Sequence, residues 1–141
     1  RLPAASQVVG HPVETSCTIL DLNGVGLTNF YKVKDTLMEA AAIGQNYYPE
    51  CMGKFYIINA PYLFSAVWSV VKGWLDEVTV KKIQVMSTGH KEVLLKQIDA
   101  ENLPVEFGGS CRCPGGCSLS DAGPWHETAT ATNSAPAPST I

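Results

Sequence analysis

Charge is scarce in this chain. Asp, Glu, Lys and Arg make up 16% of its 141 residues, and the formal net charge is only −3. The ten basic residues are not massed into a stripe, so the electrostatic footprint of a nucleic-acid partner is missing and none is expected. Long apolar runs are also missing. The longest, Tyr62 to Leu75, is interrupted by Ser65, Ser69, Lys72 and Gly73. As a helix it would cover roughly 21 Å, short of the ~30 Å hydrocarbon core of a bilayer. There is no G-x-G-x-x-G, no phosphate-loop lysine motif and no G-x-S-x-G, which argues against nucleotide enzymes and serine hydrolases. No signal-like apolar run follows Arg1, so secretion is not expected. The five cysteines are odd in number and unevenly placed, which does not read as a disulfide framework and favours a reducing, cytoplasmic setting.

Hydrophobic residues, at 45%, suffice for one buried core. The β-branched run from Val13 to Leu22 predicts a strand stopped by Asn23-Gly24. A helix follows, with Phe30, Val33, Leu37, Ala41 and Gly44 at helical spacing, and Pro49 stops it. "KFYIINA" predicts a second strand whose unbroken apolar run suits burial on both faces, as in a parallel sheet covered by helices. Pro61 fits the first position of the next helix. "DEVTVKK" predicts a short helical turn, "IQVMS" a third strand and "TGHKEVLLKQI" a further helix. The alternation implies an α/β layered fold with right-handed crossovers. The tail from Glu127 is low in complexity and is expected to be disordered.

The 62–75 segment is the most informative. Ser65, Ser69 and Lys72 form only a narrow polar stripe, where a surface helix would show a wider one. Two readings stand: a central core helix, or a lid with one face on an apolar ligand and another toward a membrane. Ser16 and Thr18 share one strand face, where such pairs commonly make cross-strand hydrogen bonds. Glu50 and Lys82 flank apolar strand ends, where α/β folds place ligands, although solvated surface charge is the ordinary role of either. Cys111, Cys113 and Cys117 lie in "CRCPGGC", with His126 a conceivable fourth ligand. That spacing matches paired zinc knuckles poorly, and no metal is expected. His90 reads as the start of a helix.

Four blocks together, "RLPAASQVVGHPVETSCTILDLNG", "QNYYPECMGKFYIINAPYLFS", "DEVTVKKIQV" and "LLKQIDAENLPVEFGG", closely resemble the CRAL-TRIO lipid-binding domain, and within it the fungal phosphatidylinositol/phosphatidylcholine transfer proteins. The likeness runs from Arg1 to about Gly109, with a weaker echo at Leu119–Trp125. It implies a sheet floor with flanking helices, and a gate helix over an apolar cavity that holds one phospholipid. Residues 1–109 would be the C-terminal part of that domain, 110–126 a cysteine-containing extension and 127–141 the tail.

The resemblance places the phosphatidylinositol headgroup on Glu50, Thr79 and Lys82, and the phosphatidylcholine headgroup on Ser16 and Thr18. The gate would be carried by Tyr62, Phe64, Val67, Trp68 and Val71, with Gly108 and Gly109 supporting its movement. It implies a non-enzymatic carrier with no cofactor beyond its phospholipid, phosphatidylinositol or phosphatidylcholine. Such a carrier would be monomeric when full-length, cytoplasmic, and in transient contact with Golgi or endosomal membranes. It further implies a role in lipid signalling and secretory traffic. Three positions depart from the pattern, Cys51 in place of a basic residue and Gly73 and Glu77 in place of prolines, and the "CRCPGGC" segment has no counterpart. The family's N-terminal part is missing before Arg1. The rival expectation is a non-transferring remnant that binds a protein partner.

Overall fold

The computed structural model describes residues 1–26, 28, 29, 32, 35, 36, 39, 42, 43 and 50–127, with only the backbone of Glu127. Numbered in chain order, the elements are α1 (Leu2–Val9), β1 (Ser16–Asp21), β2 (Met52–Ile58), α2 (Phe64–Val71), α3 (Glu77–Lys82), β3 (Ile83–Val85), α4 (His90–Gln97) and α5 (Pro124–Glu127). They fall into two compact units. One is Thr15–Cys111, which holds the sheet; the other combines Arg1–Glu14 with Arg112–Ile141. The apolar stripe expected on the helix after Gly26 lies outside the described residues. The described positions between 28 and 43 are helical. The tail from 128 onward also lies outside them.

The three strands form one sheet in the order β1-β2-β3, with both pairings parallel. The unbroken apolar run of "FYII" is explained by this central place, because helices cover both sides of β2. Alternation sends Phe55 and Ile57 to one face, together with Leu20, Leu22, Ile83 and Val85. There Phe64, Val67 and Trp68 of α2 pack on them. Tyr56 and Ile58 point the other way, against Leu94 of α4, Leu103 and Ile19. Tyr56, Ile58, Leu94 and Leu103 are at most 2% exposed, so the sheet is anchored most firmly on the α4 side. Full burial of such side chains stabilises the fold by about 1.5–3 kcal/mol each.

Several boundaries differ from the sequence reading. β1 begins at Ser16 rather than Val13, since the Val13 amide donates to Ser6 Oγ at 2.7 Å instead of joining the ladder. The helix expected from Pro61 begins at Phe64. Pro61 opens the preceding turn, its carbonyl accepting from the Phe64 amide at 2.8 Å. That helix ends at Val71, after which Gly73 and Trp74 donate three residues back, to Val70 and Val71, and tighten the chain into turns. α1 was not anticipated at all, although Pro3 in its first turn and Gly10 at φ 75° just past its end are ordinary start and stop signals.

After α4 the chain folds back through short 3₁₀ turns at Ala100–Asn102 and Val105–Phe107. The second ends in the glycine pair. Gly108 has φ 99°, and a Cβ on Gly109 would stand 1.9 Å from the Leu103 carbonyl oxygen. Leu103 is fully buried, so this backbone cannot yield. Gly109→Ala is expected to destabilise the protein by about 3 kcal/mol or more, and Gly108→Ala by about 1–2 kcal/mol. Urea unfolding of the two variants checks both the values and their order.

Candidate functional site

Three of the headgroup candidates, Ser16, Glu50 and Lys82, lie toward the amino ends of the strands. In a parallel sheet all strands start at the same edge, so Ser16, the turn before β2 and the residue before β3 share it. Glu50 lies in that turn, exposed, and Lys82 ends α3 directly before Ile83. Ligands of open α/β sheets usually sit beyond the carboxyl ends of strands. Glu50 and Lys82 lie at the amino ends, so the strand-end argument from sequence does not account for them.

Ser16 is tied to the Glu50 turn. Its amide and its hydroxyl both donate to the Cys51 carbonyl, at 2.8 and 3.1 Å. The hydroxyl therefore has the cross-strand role that such residues commonly take, with its lone pairs still open. Thr18 is level with Phe55 and Ile83 in the register, on the face that α2 covers, and is itself exposed. The sheet thus brings Ser16 next to the Glu50 turn and places Thr18 further along, under the α2 side.

Thr79 and Lys82 are three residues apart on α3 and share a face. The Thr79 hydroxyl donates to the Asp76 carboxylate, and the Thr79 amide donates to the same carboxylate at 2.9 Å. Asp76 is the N-cap of α3. These hydrogen bonds, the hydroxyl's first, hold its carboxyl below the usual aspartate range. Sequence reading missed Asp76, though an Asp directly before a helical pattern is a recognised start signal. Thr79 is consequently an acceptor toward any ligand unless Asp76 releases it. Among the described residues, neither Glu50 nor Lys82 has an ion-pair partner, so both charges are available. An open groove of about 610 Å³, lined by Leu2, Ser6, His11 and Val13 among others, contains none of these residues.

α2 is apolar on both sides. Phe64 is buried, while Val67, Trp68 and Val71 are half-buried on the same i, i+3, i+4, i+7 face. Away from the sheet Val70 of the helix is exposed, as are Tyr62 (92%) and Leu63 just before it and Trp74 just after it. The hydroxyls that give the helix its narrow polar stripe are turned onto its own backbone. Ser65 donates to the Tyr62 carbonyl and Ser69 to the Ser65 carbonyl, each at 2.9 Å. The segment thus carries apolar residues on a side that no element among the described residues covers.

At the carboxyl ends of β1 and β2, Asp21 Oδ1 accepts from the Asn59 side chain and the Asn23 amide, both at 2.8 Å. Asn59 has φ 52°, a conformation that Asn tolerates better than most residues. This contact aims the chain from the sheet into the Pro61 turn and so into α2. It too was missed, since "NAP" read only as a helix start. Cys17 stands level with Lys54 on the neighbouring strand. Desolvation pushes its thiol up despite Lys54, which makes it a poor nucleophile at neutral pH.

The Asp76 cap carries a pH prediction. Its folded carboxyl lies below the unfolded one, so the cap's contribution is complete above the ordinary aspartate value and is lost as pH falls through the depressed folded one. Carboxyl NMR of Asp76 is expected to show a midpoint below ~3.9, and Thr79→Val is expected to move it upward.

Comparison with known proteins bears on the whole arrangement. Residues 4–109 match the model of the CRAL/TRIO domain. The Sec14 cytosolic factor of Schizosaccharomyces pombe is 57% identical over 90% of this chain and 44% of its own length. The Arabidopsis thaliana phosphatidylinositol/phosphatidylcholine transfer protein SFH11 is 40% identical over 90% of this chain and 35% of its own. The chain therefore spans less than half the length of these relatives. Their aligned stretches run past residue 109 and through the cysteine segment, which the sequence reading had taken to lack a counterpart. The crystal structure of Sfh5 matches with a TM-score of 0.59 at 22% identity, over 86% of this chain and 44% of that one, which supports the same α/β fold. On the domain match, this chain belongs to the CRAL/TRIO domain family.

Proposed function

We propose that this protein is a non-enzymatic carrier that binds one phospholipid, phosphatidylinositol or phosphatidylcholine, and moves it between membranes. The observation that carries the reading is α2, seated by one apolar face on the parallel sheet and presenting a second apolar face outward. The name of the Arabidopsis relative supports the choice of lipids. No helix among the described residues is long and apolar enough to cross a membrane. In this reading membrane contact is peripheral and transient, and the protein works from the cytoplasm at Golgi or endosomal membranes, in the service of secretory traffic and lipid signalling.

Magnitudes explain why a lid is needed. Two acyl chains of about 16 carbons, at ~0.8 kcal/mol per CH₂, represent roughly 26 kcal/mol of hydrocarbon–water free energy. A lipid crossing open water would face most of it. A helix apolar on both faces lets the lipid pass from bilayer to cavity without that exposure, and lid motion then sets the rate. In this account α2 swings from the sheet, so that Phe64, Val67 and Trp68 leave the face on which they pack and, with Val71, admit the acyl chains, and Tyr62 leads the membrane side. Gly108 and Gly109 hold the segment that supports this movement.

Headgroup choice follows from hydrogen-bond chemistry. Inositol offers hydroxyl donors that the Glu50 carboxylate accepts, and choline offers none. Lys82 supplies positive charge to the phosphate, with Thr79 beside it. Ser16 and Thr18 serve the phosphatidylcholine headgroup. Leaving a polar site unpaired is what rejects the wrong lipid. Glu50→Ala and Lys82→Ala are each expected to lower phosphatidylinositol transfer between vesicles by about tenfold or more while sparing phosphatidylcholine. Equal loss of both lipids would overturn the separate roles.

A second reading rests on the outer edge of β1, which no other strand covers among the described residues. A protein-interaction module would use that edge for a partner's strand. It predicts no transfer of either lipid by the unaltered protein.

A further inference from the structure

Within the unit that combines Arg1–Glu14 with Arg112–Ile141, a tight turn brings two thiols together. Cys113, Pro114, Gly115 and Gly116 form the turn, and Cys117 follows directly. The Gly116 amide donates to the Cys113 carbonyl at 3.0 Å, and Gly115 has φ 79°. Proline second, glycine third at positive φ, and a hydrogen bond from fourth to first are the marks of a type II turn. The fixed φ of proline and the freedom of glycine write that turn into the sequence itself. Gly116, at φ 99°, then leads into the 3₁₀ turn Cys117–Leu119. A Cβ on either glycine would meet nothing within 4 Å, so both serve backbone conformation and not packing.

The turn returns the second sulfur to the first cysteine. The Cys113 amide donates to Cys117 Sγ at 3.4 Å. The Sγ atoms of Cys113 and Cys117 lie within 4.8 Å of each other. Sulfurs in a disulfide stand ~2.05 Å apart, so this pair has at most roughly 2.8 Å to close. One change of χ1 rotamer carries a cysteine sulfur roughly that far, and the turn need not open. Both side chains are half-buried thiols, held in place yet within reach of a small solute. Cys17 and Cys51 belong to the other unit.

We propose that Cys113 and Cys117 form a reversible dithiol–disulfide site, oxidised by low-molecular-weight disulfides of the glutathione class. One of the two, as thiolate, attacks a sulfur of glutathione disulfide. A mixed disulfide forms and one glutathione thiolate leaves. The other cysteine, as thiolate, then attacks the protein-side sulfur of that mixed disulfide. The Cys113–Cys117 bond forms, the mixed bond breaks, and the second glutathione leaves. Each departing thiolate takes up the proton its attacker gave up. Two protein thiols thus become one disulfide, and one glutathione disulfide becomes two thiols. The turn speeds the second step by keeping the second sulfur beside the first, at high effective concentration. The bond staples the turn, and reduced glutathione opens it by the same steps in reverse.

The test incubates the fully reduced chain with glutathione disulfide, blocks remaining thiols with iodoacetamide, and maps tryptic peptides by mass spectrometry. Arg112 is the last Lys or Arg of the chain, so Cys113 and Cys117 share one peptide and Cys111 falls on another. That shared peptide is expected to lose two hydrogens, resist alkylation at both cysteines and retain no glutathione. Excess reduced glutathione should restore both thiols. In Cys113→Ser and Cys117→Ser the remaining cysteine should instead keep glutathione as a stable mixed disulfide. Changing Gly115 and Gly116 together to alanine is expected to slow closure of the bond by about tenfold or more. If a variant fails to fold, the map of the unaltered protein decides alone. Glutathione retained on both cysteines, both left as thiols, or a bond from either to Cys111 would overturn the proposal. Closure at an unchanged rate in the glycine variant would overturn it too.

Discussion

Burial of β2 on both faces is the constraint on which the sheet-bearing unit depends. Four consecutive residues, Phe55 to Ile58, alternate between two separate apolar clusters, so one short strand holds α2 on one side and α4 with Leu103 on the other. Slipping the register by one residue would exchange the two faces and present Tyr56 to α2 and Ile57 to α4. The parallel pairing on either side follows, since a strand covered by helices on both faces is reached by crossovers rather than hairpins. Shared strand starts then gather Ser16, the Glu50 turn and Lys82 at one edge of the sheet.

The two faces are not held equally. On the α4 side the contacts involve residues at most 2% exposed. On the α2 side only Phe64 of the helix is buried, while Val67, Trp68 and Val71 remain partly open. An element with few fully buried contacts opens at lower free energy than the core around it. The fold thus has a firm side and a looser one, and the looser one carries the helix with apolar residues facing outward. Asp21 and Asn59, joined at the strand ends, fix where that helix starts without tying down its far end.

Much of this arrangement was legible in the sequence because it rests on periodicity. "KFYIINA" could be read as a doubly covered strand from its unbroken apolar run, and the alternation of strands and helices implied the parallel sheet. The narrow polar stripe of 62–75 likewise pointed to a helix with little solvent-facing surface, though not to which side was covered. What was not legible depends on contacts between segments distant in sequence or on local capping. Val13 looks like a strand residue by type, and only the Ser6 hydroxyl takes it out of the ladder. Thr79 reads as an available hydroxyl until the cap formed by Asp76 is seen. Ser16 and Glu50 are far apart in sequence, and only the pairing of β1 with β2 shows the first tied to the turn of the second.

The central claim is that α2 and the sheet enclose a phospholipid, and the contents of the purified protein test it most directly. Mass spectrometry of lipid extracted from the unaltered protein is predicted to find about one phospholipid per chain, drawn from phosphatidylinositol and phosphatidylcholine, and to find it lost when Val67 and Trp68 are both changed to aspartate in a protein that still folds. An unaltered, folded protein that carries no phospholipid, even after incubation with vesicles of both lipids, would contradict the account.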